Sequence, residues 1–234
     1  MEKDKKYSPL FDKNTGENIS RLINSGLINE ISGPIGSGKE ANIFYTEDDF
    51  GRASAIKIHR HNINTFKSIP EYLKLRGKRA GGFIKIIDEG TRYEYETLKR
   101  AYSAGVKCPE PYGRSGNVIV MQFIGSDKRP AELAVKSSSF DVDRWYKEII
   151  DDIIKLAKRG IIHGDLSPYN ILNFNEEPYI IDFSQALKLS SATRQYLIRD
   201  IRNINDWFRR LGLETMKEEQ ILEMITNEKG NEGL

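Results

Sequence analysis

A glycine-rich segment near the N-terminus constrains the fold more than any other feature of the sequence. It reads G-P-I-G-S-G-K from Gly33 to Lys39 and is followed by Glu40 and the β-branched and aromatic run 41–45. A Walker phosphate loop would have Ser or Thr in place of Glu40 and would open a helix, whose N-terminus binds the phosphate. The segment that follows has the composition of a strand instead. We therefore predict either a plain hairpin turn or a glycine loop between antiparallel strands that can lie over phosphate groups.

The composition is that of a globular chain. Of the 234 residues, 38% are hydrophobic and 30% are charged, and 36 basic residues against 34 acidic ones give a net charge of +2. No apolar run approaches the roughly 20 residues that span a bilayer, and the charged start Met1–Lys6 does not resemble a secretory signal. The single cysteine, Cys108, excludes a disulfide framework and a multi-cysteine metal site. We expect a cytoplasmic protein with no membrane contact.

Hydrophobic periodicity changes from strand to helix along the chain. Strand-like runs lie at 41–45, 53–58, 118–121, 171–173 and 179–181, and helical spacing lies at 14–25, 91–104, 141–158 and from about 193. The polar stretch 59–90 is predicted to be a long loop. This order predicts an α+β chain in two lobes, β-rich first and helical second. The predicted boundaries are an N-terminal helical extension over 1–30, an N-lobe over 31–124 and a C-lobe over 125–234.

A lysine within an apolar strand pattern is the first candidate functional residue. Lys57 follows Ala55 and Ile56, and burying its ammonium group is costly without a partner. The predicted helix 91–104 offers Glu94 and Glu96. We choose Glu94, because Leu98 lies four residues further along the same helix face and would pack inward. A strand lysine held by a helix glutamate orients the α- and β-phosphates of a nucleotide.

The strongest motif lies after the long helix 141–158. In the run H-G-D-L-S-P-Y-N, Asp165 and Asn170 are five positions apart, the spacing of a phosphotransfer loop. The aspartate can align an attacking hydroxyl and the asparagine oxygen can bind a metal ion. Asp182 follows a short apolar strand, which suits a second metal ligand. For His163 we expect a role in bracing the loop backbone rather than in binding metal, because no second histidine is near in sequence.

These motifs resemble the RIO family of atypical serine/threonine kinases. The resemblance rests on S-G-K-E-A-N at 37–42, H-G-D-L-S-P-Y-N at 163–170, I-D-F-S-Q at 181–185 and R-D-I-R-N-I at 199–204. It implies a protein-kinase-like fold whose C-lobe is reduced and has no peptide-binding activation segment. The segment 11–32 looks like the type-one subfamily, and the roughly 30 residues before the glycine loop are too few for the winged helix of the type-two subfamily.

The resemblance also implies the roles of individual residues. Lys57 would contact the phosphates of ATP and Glu94 would hold it, Asp165 would be the catalytic proton acceptor, and Asn170 and Asp182 would bind Mg²⁺ or Mn²⁺. Asp182 could itself become phosphorylated during ATP turnover. The residues expected to contact ATP are Ile35, Ser37, Gly38, Lys39, Ile43, Ala55, Lys57, Met121, Gln122, Ile124 and Leu172, of which 121–124 resemble the hinge.

Departures from ordinary protein kinases narrow the expected task. Gly164 stands where an arginine usually precedes the catalytic aspartate, and no A-P-E segment follows Asp182. An ordinary peptide kinase is therefore disfavoured, and the resemblance implies a kinase or ATPase in the maturation of the small ribosomal subunit. The alternatives are a small-molecule kinase of the aminoglycoside or choline class and a nucleotide-gated ribosome-binding factor. The basic run 74–79 is a candidate RNA or protein contact, or else a solvated loop.

Overall fold

The computed structural model describes residues 11–38, 40–61 and 82–227. Lys39 and the basic run 74–79 lie outside the described residues, and so do their predicted contacts. The chain divides into two compact units. The first unit consists of Met1–Glu96 and Pro109–Pro130, and the second unit consists of Thr97–Cys108 and Ala131–Leu234.

The first unit is built on a five-stranded antiparallel sheet with the strand order β1-β2-β3-β5-β4. Its strands are β1 (Pro34–Ser37), β2 (Ala41–Glu47), β3 (Ala53–His59), β4 (Pro111–Ser115) and β5 (Val118–Gln122), and a short ribbon of β6 (Gly125–Ser126) and β7 (Arg129–Pro130) follows. Pro34–Ser37 of the glycine-rich segment form β1, and the glycine loop is the turn after Ser37 that leads into β2, with Ser37 opposite Asn42. The prediction of a strand rather than a helix after this loop is therefore confirmed.

A short helix, α1 (Lys13–Asn24), packs against β4 and β5. Asp12 is the N-cap residue of α1, and its side chain accepts a hydrogen bond from the Thr15 amide, as aspartate commonly does at this position. Ile19 and Leu22 are buried on its inner face with Ile56 of β3. This core ties the helix to the sheet through side chains that water does not reach.

The next helix, α2, covers Phe83–Ser103 and begins eight residues earlier than predicted. The expectation of a loop over 59–90 was wrong for its last residues. The buried positions of α2 are Ile87, Thr91, Glu94, Thr97, Leu98 and Ala101. This spacing of four and three residues is that of one helix face, and it starts at Ile87, within the stretch whose polar composition suggested a loop.

The second unit is organised around α3 (Val142–Lys158), which contacts α4 (Arg194–Arg210) and α5 (Glu218–Asn227). The inner face of α3 is apolar and buries Trp145, Ile149 and Ile153. Two small antiparallel sheets complete the unit. The first has the order β11 (Glu177–Ile180), β10 (Ile171–Phe174), β8 (Glu132–Leu133), and the second pairs β9 (Ile161–Ile162) with β12 (Leu187–Lys188).

The C-terminal part of the chain is not the continuous helix suggested by its pattern. Helix α4 ends at Arg210, and α5 begins at Glu218. Gly212 has a φ of +88°, a conformation that glycine adopts freely and that commonly ends a helix. Within the described ranges, no helix is both long enough and apolar enough to cross a membrane.

Candidate active site

A buried ion pair lies in the first unit. The Nζ atom of Lys57 on β3 is 2.6 Å from Oε1 of Glu94 on α2, and both side chains are about 5% exposed. Lys57 lies in the middle of the sheet, opposite Ile43 of β2 and Ile119 of β5. Glu96 is exposed, so of the two candidate glutamates Glu94 makes this contact. A lysine in such a position is stable only with a close partner of opposite charge.

The glycine loop is held by the side chain of an arginine whose role the sequence analysis missed. Arg60 Nη2 donates to Asn42 Oδ1 at 2.6 Å and to Ser37 Oγ at 3.2 Å. Ser37 Oγ donates to the same Asn42 oxygen at 3.0 Å. The Arg60 amide also donates to the carbonyl of Glu40 at 2.9 Å. Arg60, just beyond β3, thus fixes both ends of the loop that was predicted to cover phosphates.

The apolar residues predicted to line an adenine pocket in the first unit share one cluster. Ile35, Ile43 and Met121 pack, partly buried, against the buried group that contains Ala55. The Gln122 amide already donates to the carbonyl of Glu110 at 2.8 Å, so only its carbonyl is left as a main-chain partner for a nucleotide. Ile124 is buried, and Leu172 lies in the second unit on β10.

In the second unit, the predicted phosphotransfer loop follows β9. Asn170 Nδ2 donates to the Asp165 carbonyl at 2.8 Å and to Asp165 Oδ2 at 3.2 Å. The asparagine amide therefore holds the aspartate and turns its own Oδ1 away from it. Gly164 has a φ of +83°, and a Cβ atom there would overlap the carbonyl oxygen of Gln185. Only glycine satisfies both conditions at the position before Asp165.

A β-hairpin brings Asp182 next to this loop. Ile171 of β10 pairs with Ile180 of β11, and the Ile181 amide donates to the Asn170 carbonyl at 3.0 Å. Asp182 comes next and has a left-handed backbone with a φ of +64°, and its Oδ1 accepts from the Ser184 amide at 3.1 Å. A non-glycine residue in this conformation is strained, and such strain is concentrated at functional sites.

His163 connects the two segments. Its Nε2 lies 3.0 Å from the Ile181 carbonyl, and because a carbonyl only accepts, Nε2 carries the proton. The ring also packs against Phe183, with 5.0 Å between the ring centroids. His163 therefore braces the main chain of the predicted phosphotransfer loop against the segment that carries Asp182.

Three residues of α4 also bind main-chain groups of the predicted phosphotransfer loop, which we call the catalytic loop. Asp200 accepts the amides of Gly164 at 2.7 Å and of Leu166 at 3.0 Å. Arg199 donates to the Gly164 carbonyl, and Asn203 Nδ2 donates to the Leu166 carbonyl at 3.1 Å. Asp200 is only 1% exposed, and this burial raises its pKa to about 6, although the two amides and nearby His163 and Arg199 favour its charge.

Residues 199–204 belong to the motifs that resemble the RIO family, but no role was predicted for any of them. A signal was present, because Asp200 lies within the apolar helix stripe formed by Leu197, Ile201 and Ile204. A carboxylate in such a stripe must find partners when the helix packs. The stripe does not indicate that these partners are main-chain amides 36 and 34 residues away.

Comparison with known proteins places this arrangement in a family. The model of the RIO domain matches residues 42–221. The chain belongs to the RIO family. It is 32% identical over 234 residues to the RIO-type serine/threonine-protein kinase Rio1 of Haloferax volcanii, covering 96% of this chain and 78% of the relative. It is 30% identical over 227 residues to human serine/threonine-protein kinase RIO1, covering 93% of this chain and 40% of the relative.

A solved structure extends the likeness to the fold. The Rio2 kinase-ADP/Mg²⁺-phosphoaspartate complex from Chaetomium thermophilum is 26% identical, with a TM-score of 0.70 over 90% of this chain and 66% of that one. The two-lobed kinase-like fold class predicted from sequence is confirmed. Family membership favours a RIO kinase over an aminoglycoside or choline kinase, which shares the H-G-D loop. This RIO chain spans less than half the length of the human relative.

A kinase family implies the use of ATP and a divalent metal ion, and the second unit offers suitable ligands. Asn170 supplies an amide oxygen and Asp182 a carboxylate. These are the hard oxygen donors that Mg²⁺ prefers, and Mg²⁺ usually takes its remaining ligands from water and phosphates. Across the described residues, no group of three or more His, Cys, Asp or Glu side chains forms a metal site. The oxygen donors of Asn170 and Asp182 fit the ligand preference of Mg²⁺ or Mn²⁺.

Proposed function

We propose that this RIO-type kinase transfers the γ-phosphoryl group of ATP to a serine or threonine hydroxyl, with Mg²⁺ or Mn²⁺ as the metal ion. The observation that carries the proposal is the Asp165–Asn170 contact, with Asp182 at the end of the adjoining hairpin. In this proposal residues 31–124 act as the N-lobe, 125–234 as the C-lobe and 1–30 as an extension. We also propose that the protein acts in the cytoplasm.

In the proposed transfer to a hydroxyl, the candidate side chains have separate tasks. Lys57, held by Glu94, binds phosphate oxygens of ATP and neutralises their charge. Asp165 accepts the proton of the attacking hydroxyl. The hydroxyl oxygen forms a bond to the γ-phosphorus while the bond to the β-phosphate oxygen breaks and ADP leaves. Asn170 and Asp182 hold the metal ion, which supplies charge neutralisation between the phosphates.

The adenine half of the nucleotide would contact the first unit's apolar cluster, including Ile35, Ala55 and Met121. The Gln122 carbonyl and the Ile124 main chain would bond the adenine edge. The glycine loop, held by Arg60, would cover the phosphates through Ser37, Gly38 and Lys39. Leu172 would contribute from β10.

We further propose that the acceptor can be the protein itself. Attack by an Asp182 carboxylate oxygen on the γ-phosphorus, with loss of ADP, would give an aspartyl phosphate whose hydrolysis completes an ATPase cycle. The structure compared above, the Chaetomium Rio2 complex, is named as containing a phosphoaspartate, which supports this proposal. The partner proposed for the cycle is the precursor of the small ribosomal subunit.

The test is turnover of γ-³²P-labelled ATP by the purified protein, with and without small-subunit precursors. We expect phosphate release or labelled protein from the wild type, and at least a hundredfold loss in Asp165→Ala and Asp182→Ala. Asp151→Ala is a matched control, because Asp151 on α3 is 61% exposed, and it should keep wild-type activity. Full activity in Asp165→Ala would refute the catalytic assignment. Turnover unaffected by precursors would refute the ribosomal one.

A further inference from the structure

Glu94 has a second close partner besides Lys57. Its other carboxylate oxygen, Oε2, lies 2.8 Å from Nε2 of His59, whose side chain is 11% exposed. Two lone pairs at this distance would repel, so Nε2 carries a proton. The alignment of this contact is not that of a hydrogen bond. The contact between His59 and Glu94 is therefore one of charge rather than an aligned hydrogen bond, in a setting with little water to weaken it.

A second contact limits the orientations that the Glu94 carboxylate can take. The terminal torsion of a glutamate is broad, and a lysine ammonium is a compact charge with three rotatable donors that sets little direction. His59 therefore adds a restraint on the orientation of the Glu94 carboxylate. With His59 on Oε2, Oε1 stays directed at Lys57.

His59 is itself firmly placed, because its main chain is bonded on both sides by one buried residue. The His59 amide donates to the Asn117 carbonyl at 2.9 Å, and Asn117 Nδ2 donates to the His59 carbonyl at 2.6 Å. Asn117 Nδ2 also donates to Thr15 Oγ1 on α1 at 2.9 Å, and Asn18 of α1 donates to Asn117 Oδ1 at 3.1 Å. The attachment of α1 is thus continuous with the support of His59.

We propose that His59 is a positioning residue for phosphoryl transfer, which holds Oε2 of Glu94 and so keeps the ammonium of Lys57 in place. The inference rests on the proposed function, because it concerns the same ion pair. It assigns the histidine that ends β3, and through Asn117 the helix α1, to the support of the nucleotide-binding lysine.

The experiment compares two substitutions of His59 by residues whose side-chain amides differ in length by one methylene. Glutamine at position 59 can bring its Nε2 close to where the histidine Nε2 lies, whereas asparagine is one methylene shorter. We expect His59→Gln to retain kcat/KM for ATP within about threefold of wild type, and His59→Asn to lose about tenfold. A merely structural role would lower the melting temperature, most of all in His59→Asn because asparagine is depleted in strands, and would leave kcat/KM unchanged well below that temperature.

A matched control lies two residues further along. His61 contacts Asp12 at 3.3 Å and Asp88 at 3.5 Å, so it also joins carboxylates but not Glu94. His61→Asn should stay within about twofold of wild type. All assays are run at least 15 °C below the lowest melting temperature of the set, so that partial unfolding does not contribute.

The outcomes separate the two proposals. Two results would show that the positioning role is wrong while the proposed function stands. In the first, Asp165→Ala has lost ATP turnover but His59→Asn has wild-type kcat/KM. In the second, kcat/KM of His59→Gln is as low as that of His59→Asn. If His61→Asn falls as far as His59→Asn, the effect is not specific to Glu94 and the inference is overturned. If the wild type itself turns over no ATP, the proposed function fails and this inference fails with it.

Discussion

The two units support their candidate functional groups by different contacts. In the first unit, charged side chains contact one another, as Lys57, Glu94 and His59 do. In the second unit, Asp200, Asn203 and His163 bind main-chain groups of the loop segments that carry Asp165 and Asp182. The first arrangement fixes the position of a functional side chain directly. The second fixes the main-chain conformation of the loop segments and leaves the carboxylates of Asp165 and Asp182 to be placed by that conformation.

This difference has an energetic consequence. A side-chain pair can be removed as a pair, because replacing both partners leaves no charge behind. A main-chain amide cannot be removed by mutation, so loss of its side-chain partner leaves a buried polar group unsatisfied. We therefore expect defects in the first unit to be rescued by a second substitution and defects in the second unit not to be.

The largest effect should come from breaking the ion pair. Lys57→Met removes the ammonium partner of the buried Glu94 carboxylate, and we expect the free energy of unfolding to fall by about 3 to 5 kcal/mol. In Lys57→Met/Glu94→Gln more than half of that loss should return, while ATP turnover stays absent in both variants. Urea unfolding and ATP turnover measure the two effects. No recovery in the double variant would mean that the comparison between the units is wrong.

The next effect is the pH dependence of stability in the second unit. Burial raises the pKa of Asp200 to about 6 from an ordinary 3.8, so between these values the folded protein binds a proton that the unfolded chain does not. The contribution of Asp200 to the free energy of unfolding is therefore fully present below pH 4 and is lost as the pH rises through 6. The loss is about 3 kcal/mol.

Asp200→Asn removes this titration and serves as the reference. The free energy of unfolding of the wild type minus that of Asp200→Asn should fall by about 3 kcal/mol between pH 4 and pH 7. Other carboxylates titrate equally in both proteins and cancel in the difference. A flat difference would show that Asp200 is as easily ionised in the folded protein as in the unfolded chain.

Two glycines with similar backbone conformations test the fit of the catalytic loop. Gly160 has a φ of +70° with open space around an added Cβ, whereas a Cβ on Gly164 would overlap the Gln185 carbonyl. Gly160→Ala should cost about 1 kcal/mol from backbone strain alone. Gly164→Ala should cost about 2 to 3 kcal/mol, because steric overlap adds to the strain. Equal losses in thermal unfolding would contradict the close approach of residues 164 and 185.

The smallest effect is expected at Asn203. Asn203→Ala removes one donor to the Leu166 carbonyl, and the loss of such a hydrogen bond costs about 1 kcal/mol. Amide hydrogen exchange across residues 164–170 should rise, and exchange in the first unit should be unchanged as an internal control. Unchanged protection of the loop would show that Asp200 and Arg199 suffice to hold it.

Much of the architecture was predictable from short stretches of sequence. The change of hydrophobic period indicated the order of strands and helices, and the run after Glu40 indicated a strand. The pattern missed the whole of strand β4 (Pro111–Ser115), and it misplaced element ends, where α2 starts at Phe83 and the chain leaves the helix between Arg210 and Glu218. The N-terminal end of α2 is hard to recognise from sequence because its exposed face is polar and its buried face begins with a single apolar residue, Ile87.

The sequence by itself determined which chemical groups the protein carries, since Lys57, Asp165, Asn170 and Asp182 were recognisable from residue type and spacing. Only the tertiary structure decided what supports them. Arg60, His59 and Asp200 act on partners in other elements or on main-chain atoms, and neither composition nor periodicity encodes those partners. Asp200 and Gly164, for example, are 36 positions apart. Their contact exists because the packing of α4 carries a buried carboxylate to the two loop amides, which offset part of its desolvation.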